Sequence, residues 1–331
     1  MPPLISIVIP FYNSQNSIED CLNAVFKSSY KNFEVIAVSD GSRDSSSSIT
    51  KKFPCKIISL RKNRGSGFAR NKGAKLAKGK VIVFLDSDVI IKKNHLKLIS
   101  NIFTKKKYRM AQGVYLHKPN YKKIATQYLQ SYQCYYVFSK KLKYINNLVS
   151  NFFIIEKKIF LSVKGFDPNF VGSNAEDADL GYKLINNGFK IPIVRKLGVF
   201  HKVDFGLETF INKITRIHTG EMKMFLRKKN ILKKVSQNNY KPIILSIILL
   251  FSQIFLLLCN LYFKFNFIFE ALILLNIVFL ITQKNFLKFL IKTKGIKIFF
   301  RCLPFVYLHI FLLIYSFFAG LVEFTIFKKK Y

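Results

Sequence analysis

The first third of the chain alternates short apolar runs with segments of helical periodicity. Four runs have the length and composition of buried strands, at residues 4–9, 34–39, 56–60 and 80–85. Between them, apolar residues at three- and four-residue spacing and helix-start signals predict helices over 14–27, from 42, and over 66–77. This alternation predicts a parallel sheet with helices on both faces. Ligands of such sheets bind beyond the carboxyl ends of the strands, where the turns SDGSRD and FLDSDV lie.

The pattern between residues 110 and 201 is less regular. Residues 150–156 have the composition of a strand. Ser173 or Asn174 is suited to cap a helix that ends before Gly188. Residues 190–195 and 196–199 then predict two short extended segments.

The composition becomes strongly apolar after residue 241. Residues 242–263 carry no charge, residues 265–283 carry only Glu270, and residues 302–322 are apolar apart from Pro304 and His309. Segments of about 20 apolar residues are long enough to cross a bilayer. Three of them as buried helices of a soluble domain would leave little polar surface. We therefore expect a membrane anchor of about three transmembrane helices over 242–327.

Residues 205–241 precede these apolar segments and are rich in lysine. Phe210, Ile211, Ile214, Ile217 and Phe225 recur in them at helical spacing. This pattern predicts an amphipathic helix on an anionic membrane surface. The alternative is a solvated helix that packs on the preceding domain.

The charge of the chain narrows the class of partner. Its 54 basic and 17 acidic residues give a formal charge of +37, which attracts anionic partners such as nucleic acid, anionic lipid or phosphorylated substrates. Nine of the basic residues are Arg and 45 are Lys, whereas readers of nucleic acid rely on the planar fork of Arg. We expect anionic membrane lipids and no nucleic acid. The five cysteines form no CxxC pair, which favours a reduced protein facing the cytosol.

The motif FLDSDV places two carboxylates at the end of a predicted strand. Asp86 and Asp88 are two residues apart, so strand geometry points both to the same side. Such a pair suits a hard divalent cation, Mg²⁺ or Mn²⁺, that bridges to phosphate oxygens. Turns also favour Asp for other reasons, so the motif alone is weak evidence.

Five motifs in a fixed order extend this picture: SIVIPFYN, VIAVSDGS, GSGFARN, FLDSDV and GFDPNFVGSNAED. Together they resemble the family 2 glycosyltransferases of the GT-A fold, which are inverting enzymes that use nucleotide-sugars. The resemblance covers about residues 4–201 and implies a catalytic domain over residues 1–204. The fold that it implies is α/β, a mostly parallel sheet flanked by helices, followed by C-terminal transmembrane helices.

The resemblance also implies roles for eight residues. Asp88 and His201 would hold the metal, and Asp177 would abstract the proton. The donor would be bound by Pro10, Tyr12, Asp40, Arg70 and Asp86. Tyr12 would line the nucleobase pocket, Asp40 would accept from a uracil N–H, and Asp86 would meet the ribose. Processive members carry a QxxRW motif, whereas this chain contains no Trp, which disfavours extrusion of a polymer.

These observations predict a membrane-anchored enzyme that moves a sugar, from a UDP-sugar, to a hydroxyl of a lipid-linked saccharide or glycan. The catalytic domain would face the cytoplasm on a multi-pass anchor in the cell membrane. One alternative is transfer to a polyprenyl phosphate, which needs no base. Another is a non-catalytic protein that binds the membrane surface.

The basic residues give conflicting predictions of topology. Six of them between 284 and 301 favour a cytoplasmic loop and three spans. Lys328, Lys329 and Lys330 favour instead a final segment that is re-entrant or interfacial. We expect the loop to decide, which predicts three spans.

Overall fold

The computed structural model describes residues 2–116, 121–139, 142–145, 148–170, 175–228, 241–263 and 267–329. The chain divides into two compact units. The α/β unit contains Met1–Lys118 and Tyr136–Val203, and the helical unit contains Pro119–Tyr135 and Asp204–Lys330.

The α/β unit is built on one sheet. Its strands are β1 (Ile5–Phe11), β2 (Phe33–Ser39), β3 (Lys56–Ser59), β4 (Val81–Leu85), β5 (Val89–Ile90), β6 (Met110–Tyr115), β7 (Tyr144–Ile145), β8 (Phe152–Glu156) and β9 (Ile191–His201). They lie in the order β3-β2-β1-β4-β8-β6-β9-β5, and β7 also pairs with β9. Strands β3, β2, β1 and β4 are parallel, as the sequence predicts. Strand β8 is antiparallel to both β4 and β6, so the sheet is only partly parallel.

Helices cover both faces of this sheet. The helices up to residue 186 are α1 (Ile18–Phe26), α2 (Ser46–Thr50), α3 (Ser66–Leu76), α4 (His95–Thr104), α5 (Ile124–Ser139), α6 (Lys157–Ser162) and α7 (Glu176–Asn186). Strand β1 is buried throughout and alternates its side chains between two apolar clusters: Ile7 packs with α1 and α4, and Val8 packs with α3 and α7. A strand buried on both sides has a continuous apolar sequence, as β1 does.

The middle of the chain is more regular than its sequence pattern suggested. Strand β6 and helix α5 lie in the part for which the sequence predicted no regular element. Helix α5 is rich in Tyr and Gln and shows no apolar stripe, which explains why periodicity did not reveal it. The two short extended segments predicted over 190–199 form instead one strand, β9. The predicted cap residues Ser173 and Asn174 lie outside the described residues.

Among the described residues, the helical unit contains most of α5 and five further helices. These are α8 (Leu207–Arg227), α9 (Lys241–Phe263), α10 (Ile268–Thr282), α11 (Lys284–Lys294) and α12 (Ile296–Thr325). The core joins α5 and all five of these helices around the buried ring of Tyr128, which contacts Phe210, Phe286 and Phe305.

Two helices in the described part of the chain are long and apolar enough to cross a membrane: α9, over Ile244–Leu261, and α12. Helices α10 and α11 pass the same test only as a pair, and the chain bends by 69° between them. The predicted second span thus ends at Thr282, and the number of spans by length and composition is two, or three if the bent pair is one span.

Helix α8 occupies the segment for which an amphipathic helix was predicted. Its residues Phe210 and Ile214 are buried in the core of the helical unit, whereas Glu208 and Arg216 are exposed. The helix is therefore amphipathic, and its apolar side packs on other helices. Its contact with an anionic membrane stays a prediction.

Candidate active site

Two carboxylates follow the carboxyl end of β4 at the centre of the sheet. The backbone N–H of Asp86 donates to the carbonyl of Asn151 (3.0 Å), which continues the pairing of β4 with β8. Asp88 stands two residues further on, directly before β5. Both side chains are partly exposed, each by 31%. The carboxylates thus lie at the sheet edge where α/β proteins bind ligands.

Asp88 is paired with His201. Strand β5 runs antiparallel to the end of β9, so that Val89 is opposite His201 in the register. The imidazole Nε2 lies 3.1 Å from Asp88 Oδ2, and the ring of Tyr115 stacks on the imidazole at 4.5 Å between centroids. The N–H of Lys202 donates to the Asp88 carbonyl (2.7 Å). The fold therefore brings together the two residues that the resemblance implied as metal ligands.

A carboxylate and an imidazole are suitable donors for Mn²⁺, and a carboxylate for Mg²⁺. Among the described residues, no group of three or more His, Cys, Asp or Glu is arranged to hold a metal ion. The donor atoms of Asp88 and His201 would therefore suit a divalent cation, which would supply positive charge at this edge of the sheet.

Arg70 joins the Asp86 motif to the acidic motif of α7. Its guanidinium on α3 is only 4% exposed, and Nη2 donates to Asp86 Oδ1 at 2.6 Å. Nη1 lies 3.7 Å from Glu176 Oε1 and 3.6 Å from Asp177 Oδ1. Burial alone would lower the pKa of Arg70, but the three carboxylates outweigh it and raise that pKa. The guanidinium therefore stays charged between two motifs that are 90 residues apart in the sequence.

Glu176 and Asp177 begin α7 and have different surroundings. Glu176 is buried and accepts from Ser66 Oγ (2.6 Å), whereas Asp177 is 21% exposed and accepts from the Ser150 N–H (2.9 Å). Burial and the neighbouring charge of Asp177 raise the pKa of Glu176 to about 7, against the opposing effects of Arg70 and Ser66. Burial also raises the pKa of Asp177, and Arg70 and Ser150 oppose this. Of the two carboxylates, Asp177 is the one that a second molecule can reach.

The third acid of the motif, Asp179, has a different place. It is fully buried and forms an ion pair with Lys183 one turn later in α7 (3.1 Å). Since Lys183 also donates to the carbonyl of Gly165 (3.1 Å), the pair ties α7 to the turn before it.

Asp40 follows β2 and holds a neighbouring loop. Its Oδ1 accepts from the N–H of Arg64 (2.8 Å) and its Oδ2 from the N–H of Gly65 (2.9 Å). Burial raises the pKa of Asp40, and these two backbone N–H groups lower it. Gly41 has φ +77°, and a Cβ there would meet the backbone of Asn63 at 2.8 Å, so the SDGS turn requires glycine.

Pro10 and Tyr12, the remaining candidates for donor binding, lie at the end of the adjacent strand β1. Pro10 is buried within β1, and Tyr12 follows the strand with 47% of its surface exposed. Because β1 and β2 are parallel neighbours, Tyr12 and Asp40 lie at the same edge of the sheet. Tyr12 has the exposure of a group that can stack on a ligand.

Sequence reasoning did not identify several residues that position these groups. Ser66, Ser150 and Tyr115 contact Glu176, Asp177 and His201, respectively. Ser66 belongs to the quoted GSGFARN motif, so its sequence context was a signal. Ser150 acts through its backbone N–H and Tyr115 through a stacking contact, and neither contact can be predicted from the type of the residue.

Comparison with known proteins shows a likeness to one family of transferases over the first half of the chain. Residues 6–163 match the model of glycosyl transferase family 2. Among curated proteins, the chain is 35% identical over 104 residues to glycosyltransferase GlyG of Streptococcus pneumoniae, an alignment that covers 30% of this chain and 35% of GlyG. It is 35% identical over 100 residues to the putative teichuronic acid biosynthesis glycosyltransferase TuaG of Bacillus subtilis, over 29% of this chain and 40% of TuaG. The aligned part thus covers well under half of these relatives.

A solved structure extends the likeness in fold. The mannosyltransferase PcManGT from Pyrobaculum calidifontis, in complex with GDP-Man and Mn²⁺, superposes with a TM-score of 0.57 over 98% of this chain and 87% of its own, at 14% identity. Residues 6–163 of this chain are thus similar to the family 2 glycosyltransferases, and the fold resembles that of the mannosyltransferase.

Proposed function

We propose that the protein transfers a sugar from a nucleotide-sugar, a UDP-sugar, to a hydroxyl of a lipid-linked saccharide or glycan, with inversion at the anomeric carbon. The observation that carries this proposal is the buried Arg70, whose guanidinium contacts Asp86 and lies within 3.7 Å of Glu176 and Asp177. It links a donor-binding motif to a carboxylate that a second substrate can reach. A site for two substrates needs this arrangement.

Asp177 is the proposed general base. The acceptor oxygen attacks the anomeric carbon, its proton passes to the carboxylate of Asp177, and the bond to the diphosphate breaks with its electron pair on the leaving oxygen. A positioned base of this kind contributes roughly 10²–10⁴ in rate. Its place in the first turn of α7 favours the ionised form, because the helix dipole is positive there. The raised pKa of Asp177 makes it a stronger base than a solvated aspartate.

Asp88 and His201 are the proposed ligands of a divalent cation, Mn²⁺ or Mg²⁺. A bound cation would supply positive charge to the departing diphosphate. Their separation of 3.1 Å and the stacking of Tyr115 on the imidazole support this role, because both side chains are already held in place. That PcManGT was solved with GDP-Man and Mn²⁺ supports it further.

The nucleoside would lie over the carboxyl ends of β1 and β2. We propose that Tyr12 stacks on the base, that Arg70 borders this pocket, and that Asp86 accepts from the ribose. Each oxygen of Asp40 accepts one backbone N–H and keeps a second lone pair for the uracil. Pro10 supports the turn from which Tyr12 projects.

The acceptor is proposed to reside in the membrane. Helices α9 and α12 are apolar enough to enter a bilayer, and exposed Lys residues suit an anionic surface. We place the α/β unit at the cytoplasmic face of the cell membrane, where nucleotide-sugars are made. The likeness to TuaG, a putative teichuronic acid biosynthesis glycosyltransferase, supports envelope polysaccharide assembly as the setting.

The direct test is turnover by the full chain in lipid nanodiscs. Nucleoside diphosphate release would be measured for a panel of UDP- and GDP-sugars, with lipid extract as the acceptor source. We expect release from a UDP-sugar only when the extract is present, and a product with inverted anomeric configuration by NMR. Transfer to bare polyprenyl phosphate would favour the alternative reaction, and no turnover with any donor would favour a binding protein.

A further inference from the structure

We propose that α12 does not cross the membrane but lies along its surface, with the exposed aromatic side of the helix in the headgroup region of an anionic bilayer. The inserted element is then the hairpin of α9 and α10. This inference rests on the proposed membrane attachment and goes beyond it, because length and apolarity alone make α12 a candidate span.

The first argument is that α8 accompanies α12. Phe210 meets Phe305 with ring centroids 5.3 Å apart, and a Cβ on Gly320 would lie 2.8 Å from Met222. Lys223 Nζ pairs with Glu323 Oε2 at 2.9 Å. These contacts occur in the same order on both helices, so the two run side by side in one direction. At 1.5 Å per residue, the stretch from 305 to 323 measures about 27 Å, close to the thickness of a hydrocarbon core.

If α12 crossed the membrane, α8 would therefore have to lie inside the bilayer beside it. Six of the 21 residues of α8 are charged: Glu208, Lys213, Arg216, Glu221, Lys223 and Arg227. Charged side chains are costly at mid-bilayer depth. Lys223 pairs with Glu323 inside the unit. Glu208 and Arg216 are exposed on its outside, where their side chains would face lipid. The α8–α12 pair fits an interface and not a hydrocarbon core.

The second argument is that α12 has two different faces. One is buried against the helical unit at Cys302, Val306, His309, Ser316 and Gly320. The opposite one exposes Phe300 and, beyond Tyr307, which stacks on Phe279 of α10, a stripe of Phe311, Tyr315, Phe318 and Val322. The two stripes are offset by two residues, or about 200° on a helix. Taken together, the α8–α12 pair has an apolar side on α12 and a charged side on α8, which is the amphipathic character of an element that lies in the interface.

The third argument is the charge at the start of this surface. Residues 284–301 contain six basic residues and no acidic one. Of these, Lys284, Lys288, Lys292, Lys297 and Arg301 are exposed, beside the exposed Ile291, Ile296 and Phe300. Basic and apolar side chains on one surface complement the phosphates and the acyl boundary of an anionic bilayer.

The hairpin of α9 and α10 has the character of an inserted element. Its base is fixed at Ser246, whose hydroxyl lies 2.6 Å from Thr282 Oγ1 and accepts from Gln283 Nε2 at 2.7 Å. Beyond this base most large side chains are exposed, including Phe255 (68%), Leu261 (74%) and Phe269 (70%). In the most apolar stretch of each helix, only 17% of α9 is buried inside the unit, against 39% of α12.

This arrangement removes the conflict between the two basic clusters. If α12 lies flat, the residues from Lys284 to Arg301 and the terminal Lys328 and Lys329 are on the same side of the membrane. The positive-inside rule is then satisfied by both clusters at once. With α12 as a span, one of the two clusters would be on the wrong side.

Cysteine accessibility tests the proposal in intact cells. Single cysteines would replace Lys284 and Lys329 in a full chain whose five native cysteines are changed to Ser or Ala, with sugar transfer as the check of folding. We expect an impermeant maleimide to label neither site before permeabilisation and both after it. Labelling of one site alone in intact cells would overturn the proposal. Labelling of both would keep α12 flat and overturn only the proposed cytoplasmic side.

Depth measurement gives an independent answer that needs no cell. A fluorophore at Phe300, Phe311 or Val322 in vesicles containing phosphatidylglycerol would be quenched by lipids with nitroxides at known depth, with Leu257 of α9 as the deep control. We expect equal and shallow depths at all three positions. A span would place Phe311 deeper than the other two by roughly 15 Å, because they are 11 residues away on either side. That result would contradict the proposal.

The lipid preference is tested by a charge-matched pair of variants. Lys288→Gln, Lys292→Gln and Lys297→Gln together should reduce several-fold the phosphatidylglycerol that copurifies with the protein. The control carries Lys51→Gln, Lys52→Gln and Lys56→Gln, which are exposed in the α/β unit and change the net charge equally. Equal loss in both variants would show that total charge, and not this surface, recruits anionic lipid.

Discussion

Arg70 is a buried cation with three carboxylate neighbours, and its removal leaves negative charges without compensation. We expect Arg70→Met to lower the free energy of unfolding by about 3–5 kcal/mol, the usual effect of breaking a buried ion pair. Arg70→Lys keeps the charge but not the planar fork, so its effect should be smaller. Thermal unfolding followed by circular dichroism measures both. Arg43→Met, at an exposed position, is the control. A wild-type melting curve for Arg70→Met would contradict the assigned role.

Glu176 gives the protein a pH dependence whose sign follows from its environment. Its folded pKa is about 7, above the ordinary value of 4.5. The folded state thus holds this proton more tightly than the unfolded state. The resulting stability is present in full below pH 4.5 and is lost as the pH rises through 7.

The variant Glu176→Gln should remove that loss, because the amide stays neutral and still accepts from Ser66. We expect its free energy of unfolding to exceed that of the wild type by up to ~3 kcal/mol at about pH 8.5, and to show no such gain near pH 5. Melting curves at both pH values give the result, with the exposed Glu19→Gln as control. A gain that is equal at the two pH values would mean that Glu176 does not titrate in this range.

Asp88 and His201 carry the prediction about metal. Sugar transfer should vanish in EDTA and return with Mn²⁺ or Mg²⁺, and Asp88→Asn should lose activity by orders of magnitude. Competition for Mn²⁺ between a fluorescent dye and the protein with bound UDP gives a second measure of metal binding, which does not depend on turnover. Full activity of Asp88→Asn in chelator would exclude the metal role.

At the scale of elements, Asn71 connects α3 to the turn that leads towards α7. Its Nδ2 donates to the carbonyl of Phe166 (2.8 Å), and its Oδ1 accepts from the N–H of Phe166 (3.0 Å). Gly165 before it has φ +57°, and a Cβ there would lie 2.6 Å from Asn71 Oδ1. The Asn71 side chain therefore satisfies both backbone hydrogen-bonding groups of Phe166, as a neighbouring strand would.

Asn71→Ala should destabilise the protein by about 1–3 kcal/mol, because two partly buried backbone groups lose their partner. Asn71→Asp retains the acceptor and loses the donor, so we expect an intermediate loss. Thermal melts would rank the two against Asn23→Ala, an exposed asparagine on α1. Equal stability of Asn71→Ala and the control would show that the turn is held by other contacts.

Strands β1 to β4 and helices α1 and α3 were predicted within a few residues of their observed bounds. Buried parallel strands and the amphipathic helix α1 leave a clear apolar pattern, whereas the pattern of α3 is weak. Helix α5 was missed because its sequence, IATQYLQSYQCYYVFS, has no apolar stripe. Strand β8 was predicted as a strand, but its antiparallel direction depends on pairings that a local pattern does not encode.

The candidate site shows the same limit. The family resemblance identified Asp86, Asp88, Asp177 and His201 individually, and their roles stay predictions. The contact of Arg70 with Asp86 spans 16 residues, and its approach to Asp177 spans 107. Such pairs arise from the fold, so a motif can name the residues without showing which ones meet.

At the scale of the whole molecule, the attachment to the membrane should not depend on salt. The hairpin of α9 and α10 exposes large apolar side chains, whose burial in lipid is not weakened by ionic strength as charge contacts are. We expect the full chain to stay in the membrane fraction after washes with 1 M salt and with carbonate at high pH, and to be released by detergent. Release by salt would mean that the protein is held by charge alone.

The central claim is that Asp177 accepts the proton of the acceptor hydroxyl in a site whose donor pocket is separate. The most direct test measures kcat and the Kd for UDP on the same preparations of wild type and Asp177→Asn. We predict a kcat reduced by roughly 10²-fold or more, the scale of a lost general base, with a Kd that changes little. A variant that loses UDP binding but keeps its kcat would contradict the claim and make Asp177 part of the donor pocket.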